Sequence, residues 1–431
     1  MTIASQESKL SISRARVDRG VNTLTFLLFQ IYQIDFFLRI TSRLDLTAIR
    51  PTLLMFALIT LALFFQKDKM VGRFNHPIVK AMNRFILVIV FTLPLVEFQG
   101  SVLRFHIPDF IKAIVFLYFA VTILDTQKRL KWSLFIFISC QVFRVLEPLY
   151  LNITQGYWGS KTYLGSGEFA SRLAGGPVDV INPNELGFVI VTIIPFLHYL
   201  LFPDGWVRKL IYLGLVPLLL YALILTMSRG AFLALLVVGF VIWKESRYKV
   251  FLIILGVMVA LAGWSVMDDN QKDRYLSLVS DDSKQSASAE GRLRGMMGEF
   301  ELGFKRPIVG HGLGTTPEAK VHAGLGQQAS HNMYAEVLIE LGLVGMAFFI
   351  AFIRKIYRQI AYARNYLLDH SGTDFENRLF KTFKVVFWMF ALYSLNYWGL
   401  SQYYWYNLAG LVVAASMLTK TQIQEAPQKR F

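Results

Sequence analysis

Long apolar runs, broken by short polar and basic connections, follow one another along almost the whole chain. A helical span needs roughly 20 mostly apolar residues. The pattern predicts about twelve, at 21–41, 49–66, 84–98, 109–125, 132–152, 186–202, 209–227, 230–243, 249–266, 333–353, 385–399 and 404–419. The expected fold class is an all-α polytopic membrane protein, one integral membrane domain over 1–431. Spans 84–98, 230–243 and 385–399 are short, which local thinning of the bilayer or burial inside the bundle accommodates. Two connections are long, 153–185 and 267–332. Within the second, Leu293, Met296, Met297, Phe300 and Phe304 recur at helical spacing, with Arg292, Glu299 and Lys305 elsewhere on the surface. Residues 290–305 are therefore expected to form an amphipathic helix, N-capped by Ser288. Such a helix would lie on the membrane–water interface or cover a cavity. The low-complexity stretch 281–289 before it is expected to be a flexible loop.

Composition agrees. The chain is 55% hydrophobic and 17% charged, against about 25% charged in soluble domains. Its net charge of +15 suggests nucleic acid until the positives are placed. They fall in every second connection, including Lys67, Lys69 and Arg73, then Lys128, Arg129 and Lys131, then Arg208 and Lys209, then Lys244, Arg247 and Lys249, then Arg354, Lys355 and Arg358. Short basic loops mark the cytoplasmic side. Both termini are then expected inside, the long connections 153–185 and 267–332 outside, and no nucleic-acid partner. The polar N-terminus with Lys9, Arg14, Arg16 and Arg19 lacks a small-residue cleavage site after the first span and reads as a retained signal anchor. The one cysteine, Cys140, lies in an apolar segment and can make no intrachain disulfide.

Ionisable residues inside spans are costly and usually face a protein interior or a wet cavity. Asp35, Arg39, Glu97, Lys112, Arg144, Glu147, Glu185, Arg229, Glu336 and Glu340 all fall toward the outer ends. A polar cavity opening outward is expected. The spacing of Asp35 with Arg39 and of Arg144 with Glu147 also fits local pairing on one helix face.

Four constellations stand out. Met227-Ser228-Arg229-Gly230-Ala231 joins two spans by almost no loop and holds an arginine at the outer rim, where its planar fork suits phosphate oxygens or simply snorkels. Ser330-His331-Asn332-Met333-Tyr334 brings a histidine to the mouth of the tenth span beside Glu336 and Glu340. It is either a general base or a capping residue. Pro307-Ile308-Val309-Gly310-His311-Gly312-Leu313-Gly314 lacks the strand a dinucleotide loop requires and reads as a tight turn. Arg172, before Gly175-Gly176 and Asn182-Pro183-Asn184-Glu185, either adds charge to the same site or is a solvated loop arginine; Asn-Pro marks a helix start. Asp268-Asp269 and Asp281-Asp282 read as solvated surface, and no metal-ligand spacing is present. The aromatic run Tyr397-Trp398 to Tyr403-Tyr404-Trp405-Tyr406 reads as an interfacial belt, with sugar stacking as the alternative.

Taken together these motifs resemble the O-antigen ligase and polymerase superfamily of envelope glycosyltransferases. The family carries a late-loop histidine followed by Asn, Ser or Gln, nine residues, then Gly-x-x-Gly. Here that is His331-Asn332 and Gly342-Leu-Val-Gly345. The Arg-x-x-x-Leu of the ligases is matched by Arg229 and Leu233, and the string from Arg292 through Pro307 to Gly314 looks like the late-loop core. The resemblance is best over about 180–350.

What the resemblance implies is transfer of a glycan from undecaprenyl diphosphate to lipid A–core or another glycan acceptor. It implies the periplasmic face of the bacterial inner membrane, and neither metal nor cofactor. His331 and Arg229 become candidate catalytic residues. Arg292, Arg172, Asn332, Tyr334 and Glu336 become candidate substrate-binding residues. Besides membrane lipids, the implied partners are the lipid-linked donor and the acceptor. A polymerase, a protein oligosaccharyltransferase and, in another class, a lipid-linked sugar transporter are the competing readings. The transporter should show inverted repeats and charges at the bilayer midplane, and neither is evident in the sequence.

Overall fold

A computed structural model describes residues 20–165, 168–267, 272, 286–326, 330, 332–370, 372–397 and 399–425. Helices occupy each of the twelve expected segments. They are α1 (Thr23–Leu38), α2 (Pro51–Phe64), α3 (Pro77–Thr92), α4 (Ile107–Ile123), α5 (Gln127–Gln155), α6 (Pro183–Phe196), α7 (Trp206–Thr226), α8 (Arg229–Glu245), α9 (Lys249–Val266), α12 (Met333–Asp369), α13 (Asp374–Tyr393) and α14 (Tyr404–Glu425). The long connections contribute a hairpin, β1 (Gly159–Gly165) and β2 (Glu168–Leu173), and two further helices, α10 (Ser286–Lys305) and α11 (Thr316–His322). Among the described residues, seven helical segments are long and apolar enough to cross a membrane: Thr47–Phe64, Pro77–Leu95, Gln99–Ile123, Gln127–Gln155, Pro183–Leu201, Trp206–Thr226 and Met333–Asp369.

The apolar exterior requires a membrane. Leu53, Leu54, Leu58, Leu61 and Phe64 of α2 and Ile253, Ile254, Val257, Met258 and Leu261 of α9 are all exposed. A helix apolar all round, with this much bare hydrocarbon, is stable only in lipid. Inside, α4 packs on α14, α3 on α12, and α6 between α8 and α5.

Contacts at helix ends sort the bundle into two faces. On one, Tyr393 Oη donates to the Asn184 carbonyl at 2.8 Å and Met333 N–H to Ser394 O at 2.9 Å. On the other, Asp204 meets Arg378 at 2.8 Å, and Glu245 meets Lys384 at 3.0 Å and Arg364 at 3.2 Å. The first is called the site face, the second the basic face.

Several expectations change. Two of the short spans lengthen at their starts, because caps rather than hydropathy set helix ends. Thus α3 starts at Pro77, and α13 starts at Asp374 behind a Thr373–Glu376 capping box. Helix α12 continues to Asp369, with Phe352, Ile356, Ile360, Ala363 and Leu367 buried along one side. The connection 153–185 contains an antiparallel hairpin, Ser160 opposite Arg172. Local pairing, the alternative to a polar cavity, is made at neither place. Asp35 accepts from the backbone and hydroxyl of Thr41 and the hydroxyl of Thr52. Arg144 pairs with Asp179, and Glu147 with Arg43 on another element. The aromatic run is no interfacial belt: Tyr397, Tyr403, Tyr404, Trp405 and Tyr406 are buried, and Tyr404 stands edge-on to Phe188 at 4.3 Å. Residues 1–19, with the presumed anchor's charges, lie outside the described residues, as do Asp268, Asp269, Asp281, Asp282 and Trp398.

Candidate functional site

The turn between α7 and α8 is sharp. Met227 adopts a left-handed φ of 50°, uncommon for a side chain of this bulk. Ser228 then caps α8 by accepting from Ala231 N–H at 3.3 Å. Arg229 is the first residue of the helix and is buried, 5% exposed. Helix α6 approaches at Gly187, where a Cβ would lie 2.6 Å from Ala231 Cβ. Only a residue without a side chain allows this contact.

Arg172 meets the same turn from the hairpin. It is not a solvated loop arginine but is 5% exposed. Its Nε donates to Thr226 O at 2.8 Å and its Nη2 to Asn184 Oδ1 at 2.9 Å. A cation on the last carbonyls of α7 complements that end of the helix dipole. The start of α6 is fixed separately by the Asn182–Glu185 capping box with Pro183 in its first turn.

Across a short turn lies the start of α12. Asn332 caps it, accepting from Tyr334 N–H at 2.8 Å and Ala335 N–H at 3.2 Å. Tyr334 Oη donates to Ala391 O at 2.9 Å. Glu336 accepts from the N–H groups of Gly399 and Leu400, at 2.8 and 3.1 Å. It thus holds the turn after α13. That turn links both motifs. Met333 is bonded to Ser394, and two residues on, Asn396 Nδ2 lies 2.6 Å from where a Gly230 Cβ would stand. The structure therefore brings the starts of α8 and α12 to one segment. His331 lies outside the described residues, but its neighbours Ser330 and Asn332 are buried there.

Helix α10 packs against α12. It begins at Ser286, inside the stretch expected to be a loop and before the expected cap Ser288. Its orientation reverses one expectation. Met297 and Phe304 are exposed, whereas Glu299 and Leu302 are each 2% exposed. Glu299 is no surface residue: it accepts from Lys320 Nζ at 2.9 Å and from the Ser330 hydroxyl at 2.7 Å. Two polar partners make burial of its charge tolerable, while Met296 and Phe300 are half-buried and Met296 Sδ accepts from Asn332 Nδ2 at 3.2 Å. Arg292 lies on this helix.

The Gly-x-x-Gly element has a backbone role. Gly342, at φ 62° and ψ −168°, breaks α12. The Pro307 and Ile308 carbonyls then accept from Leu343 and Val344 N–H, at 2.6 and 3.3 Å. On the other side of the break, His311 and Gly312 donate to Ile339 and Glu340 carbonyls at 2.8 and 2.9 Å. The Glu340 carboxylate accepts from Gly314 N–H at 2.7 Å and Thr316 Oγ1 at 2.8 Å. Irregular backbone at membrane depth survives only where protein satisfies it in this way.

One cluster escaped the sequence reading. His311 Nδ1 meets Glu97 Oε2 at 2.5 Å, and Arg306 and His322 stand 3.5 and 3.6 Å from the same carboxylate. Partial burial raises the Glu97 pKa, but His311 and Arg306 outweigh it and hold the carboxyl below its ordinary value. His311 was legible only as part of a glycine turn, because its partner lies 214 positions away. Among the described residues, no group of three or more His, Cys, Asp or Glu side chains could hold a metal ion.

A multi-helix membrane protein with polar groups and helix starts gathered at one face is the class that fold and site define. Residues 214–350 match the family model described as O-antigen ligase. Members of this family are glycosyltransferase-like enzymes. The match holds Arg229, Arg292, Asn332, Tyr334, Glu336 and the broken helix; Arg172 lies upstream of it. No curated protein matches the chain.

Proposed function

We propose that this protein is an O-antigen ligase. In this reading it moves polysaccharide from undecaprenyl diphosphate to the lipid A–core acceptor at the periplasmic face of the inner membrane. The observation that carries the reading is the meeting of the α8 and α12 starts at the 394–400 turn, with Arg172 bound to the end of α7 beside them. Helices α6, α8 and α12 all begin on this face, and helix starts favour anions. Two guanidinium groups add full charge. A diphosphate leaving group needs positive charge where negative charge develops.

The proposed chemistry follows. The acceptor hydroxyl oxygen attacks the anomeric carbon of the donor glycan. Its proton passes to His331, and the bond from that carbon to the phosphate oxygen breaks. Undecaprenyl diphosphate leaves with the electron pair, stabilised by Arg229, with Arg172 and Arg292 adding charge. Asn332, Tyr334 and Glu336 shape the acceptor side. The left-handed Met227 supports a functional role for the turn, since strained backbone gathers at such sites. The reaction requires neither metal nor cofactor. The basic loops support twelve spans, with both termini in the cytoplasm and the site facing the periplasm.

A deletion strain tests the ligase role. Polymerised glycan should stay on its carrier while the core remains bare. Single-repeat caps on the core would instead identify a polymerase.

A further inference from the structure

A groove of about 840 Å³ runs between α5 on one side and α6 and α7 on the other. Lys131, Leu134, Ile138, Val142 and Leu146 succeed one another along one face of α5. At 1.5 Å per residue they cover about 22 Å, most of the depth of a bilayer's hydrocarbon. The facing wall includes Leu197, Leu200, Ile211 and Leu215. Such a trench fits a fatty chain lying along the helix.

Its two ends differ in charge. At the basic face Lys131, Arg208 and Arg378 line the mouth, and Lys128 and Trp132 line a recess of about 480 Å³ that shares Lys131 and Phe135 with it. Asp204 is shared by Arg208 at 2.5 Å and Arg378 at 2.8 Å, and Asp374 also reaches Arg378, at 3.1 Å. Glu376 is turned inward onto Thr373 and Thr419. Among the described residues neither Lys128 nor Lys131 has a carboxylate partner. Lys131 Nζ instead stands 4.5 Å from the Phe375 ring centre. At the opposite end the lining is apolar, Val142, Phe143 and Leu146, and nearby Arg43 is bound bidentately by Glu147.

We propose that this groove is a binding site for an anionic phospholipid, with its phosphate on Lys128 and Lys131 and one acyl chain in the trench. Basic pockets between helices on the cytoplasmic side hold anionic headgroups for this reason. The site is independent of the transfer reaction. Only its assignment to the cytoplasmic leaflet rests on the orientation proposed above. It does not fit the glycan donor, whose diphosphate would sit at the other face.

Native mass spectrometry of the detergent-purified protein, titrated in parallel with dioleoyl phosphatidylglycerol and dioleoyl phosphatidylcholine, tests this. Wild type should retain phosphatidylglycerol several-fold better. Lys128→Ala/Lys131→Ala should weaken that lipid about tenfold and abolish the preference. Ser139→Trp, which fills the trench midway, should lose the retained lipid while unfolding at the wild-type temperature in its absence. Equal retention of both lipids by wild type would overturn the proposal, as would an unchanged preference in the double variant. Displacement of phosphatidylglycerol by undecaprenyl phosphate, insensitive to the two lysines, would assign the trench to the donor's tail and equally overturn it.

Discussion

Replacing Gly342 with Ala tests how the site is held together. Its φ of 62° and ψ of −168° belong to a region open almost only to glycine. A Cβ there would lie 2.4 Å from Ile308 O and 2.5 Å from Ile308 C. Both are backbone atoms, so relief requires moving the whole 307–312 segment. Backbone strain costs about 1–3 kcal/mol. Moving the segment also unmakes the bonds from Leu343 to Pro307 and from Val344 to Ile308, each worth about 0.5–1.5 kcal/mol. The expected loss is about 2–6 kcal/mol, a large share of the roughly 5–15 kcal/mol that separates folded from unfolded domains. The unfolding midpoint in detergent should fall by on the order of 10 °C. Gly214→Ala is the control: it lies within α7 with nothing within 4 Å of the new methyl, and should be neutral or stabilising by up to about 1 kcal/mol. If Gly342→Ala unfolds at the same temperature as Gly214→Ala, the reading of the broken helix is wrong.

Other consequences follow. Arg144→Ala strands Asp179 in the interior and should cost about 3–5 kcal/mol. The double change Arg144→Leu/Asp179→Leu should recover much of that midpoint; if the double variant is as unstable as the single one, the pair is not the cause. Glu97 gives a pH effect. Its folded pKa is lowered, so its stabilisation is complete above the ordinary value of 4.5 and is lost as pH falls through the folded value. Midpoints measured from pH 6 downward should therefore converge for wild type and Glu97→Gln, and a constant gap would contradict the assignment. Arg172→Ala should reduce transfer even at saturating donor, because it frees the end of α7 beside Arg229; unchanged turnover would remove it from the site.

Much of the helix pattern was legible in the sequence, because apolar length and basic loops are local signals. What was missed depended on contacts between distant segments. Asp179 was unremarked, yet it answers Arg144 from a folded-back loop. Glu299 looked like a surface charge because Lys320 and Ser330 reach it only in three dimensions. Gly342 carried a family signature, but the reason for it lies in the Ile308 carbonyl, which no spacing rule predicts. Arg229 stood out because an arginine in a two-span turn is conspicuous. Arg172 looked ordinary because its partner is the backbone end of a helix.

The most direct test is transfer in vitro by the purified protein, using a lipid-linked glycan and a core acceptor. Wild type should turn over, and Arg229→Ala and His331→Ala should each be slower by about 10²–10³-fold, as expected for losing transition-state charge stabilisation or a general base. Wild-type turnover by both variants would contradict the account.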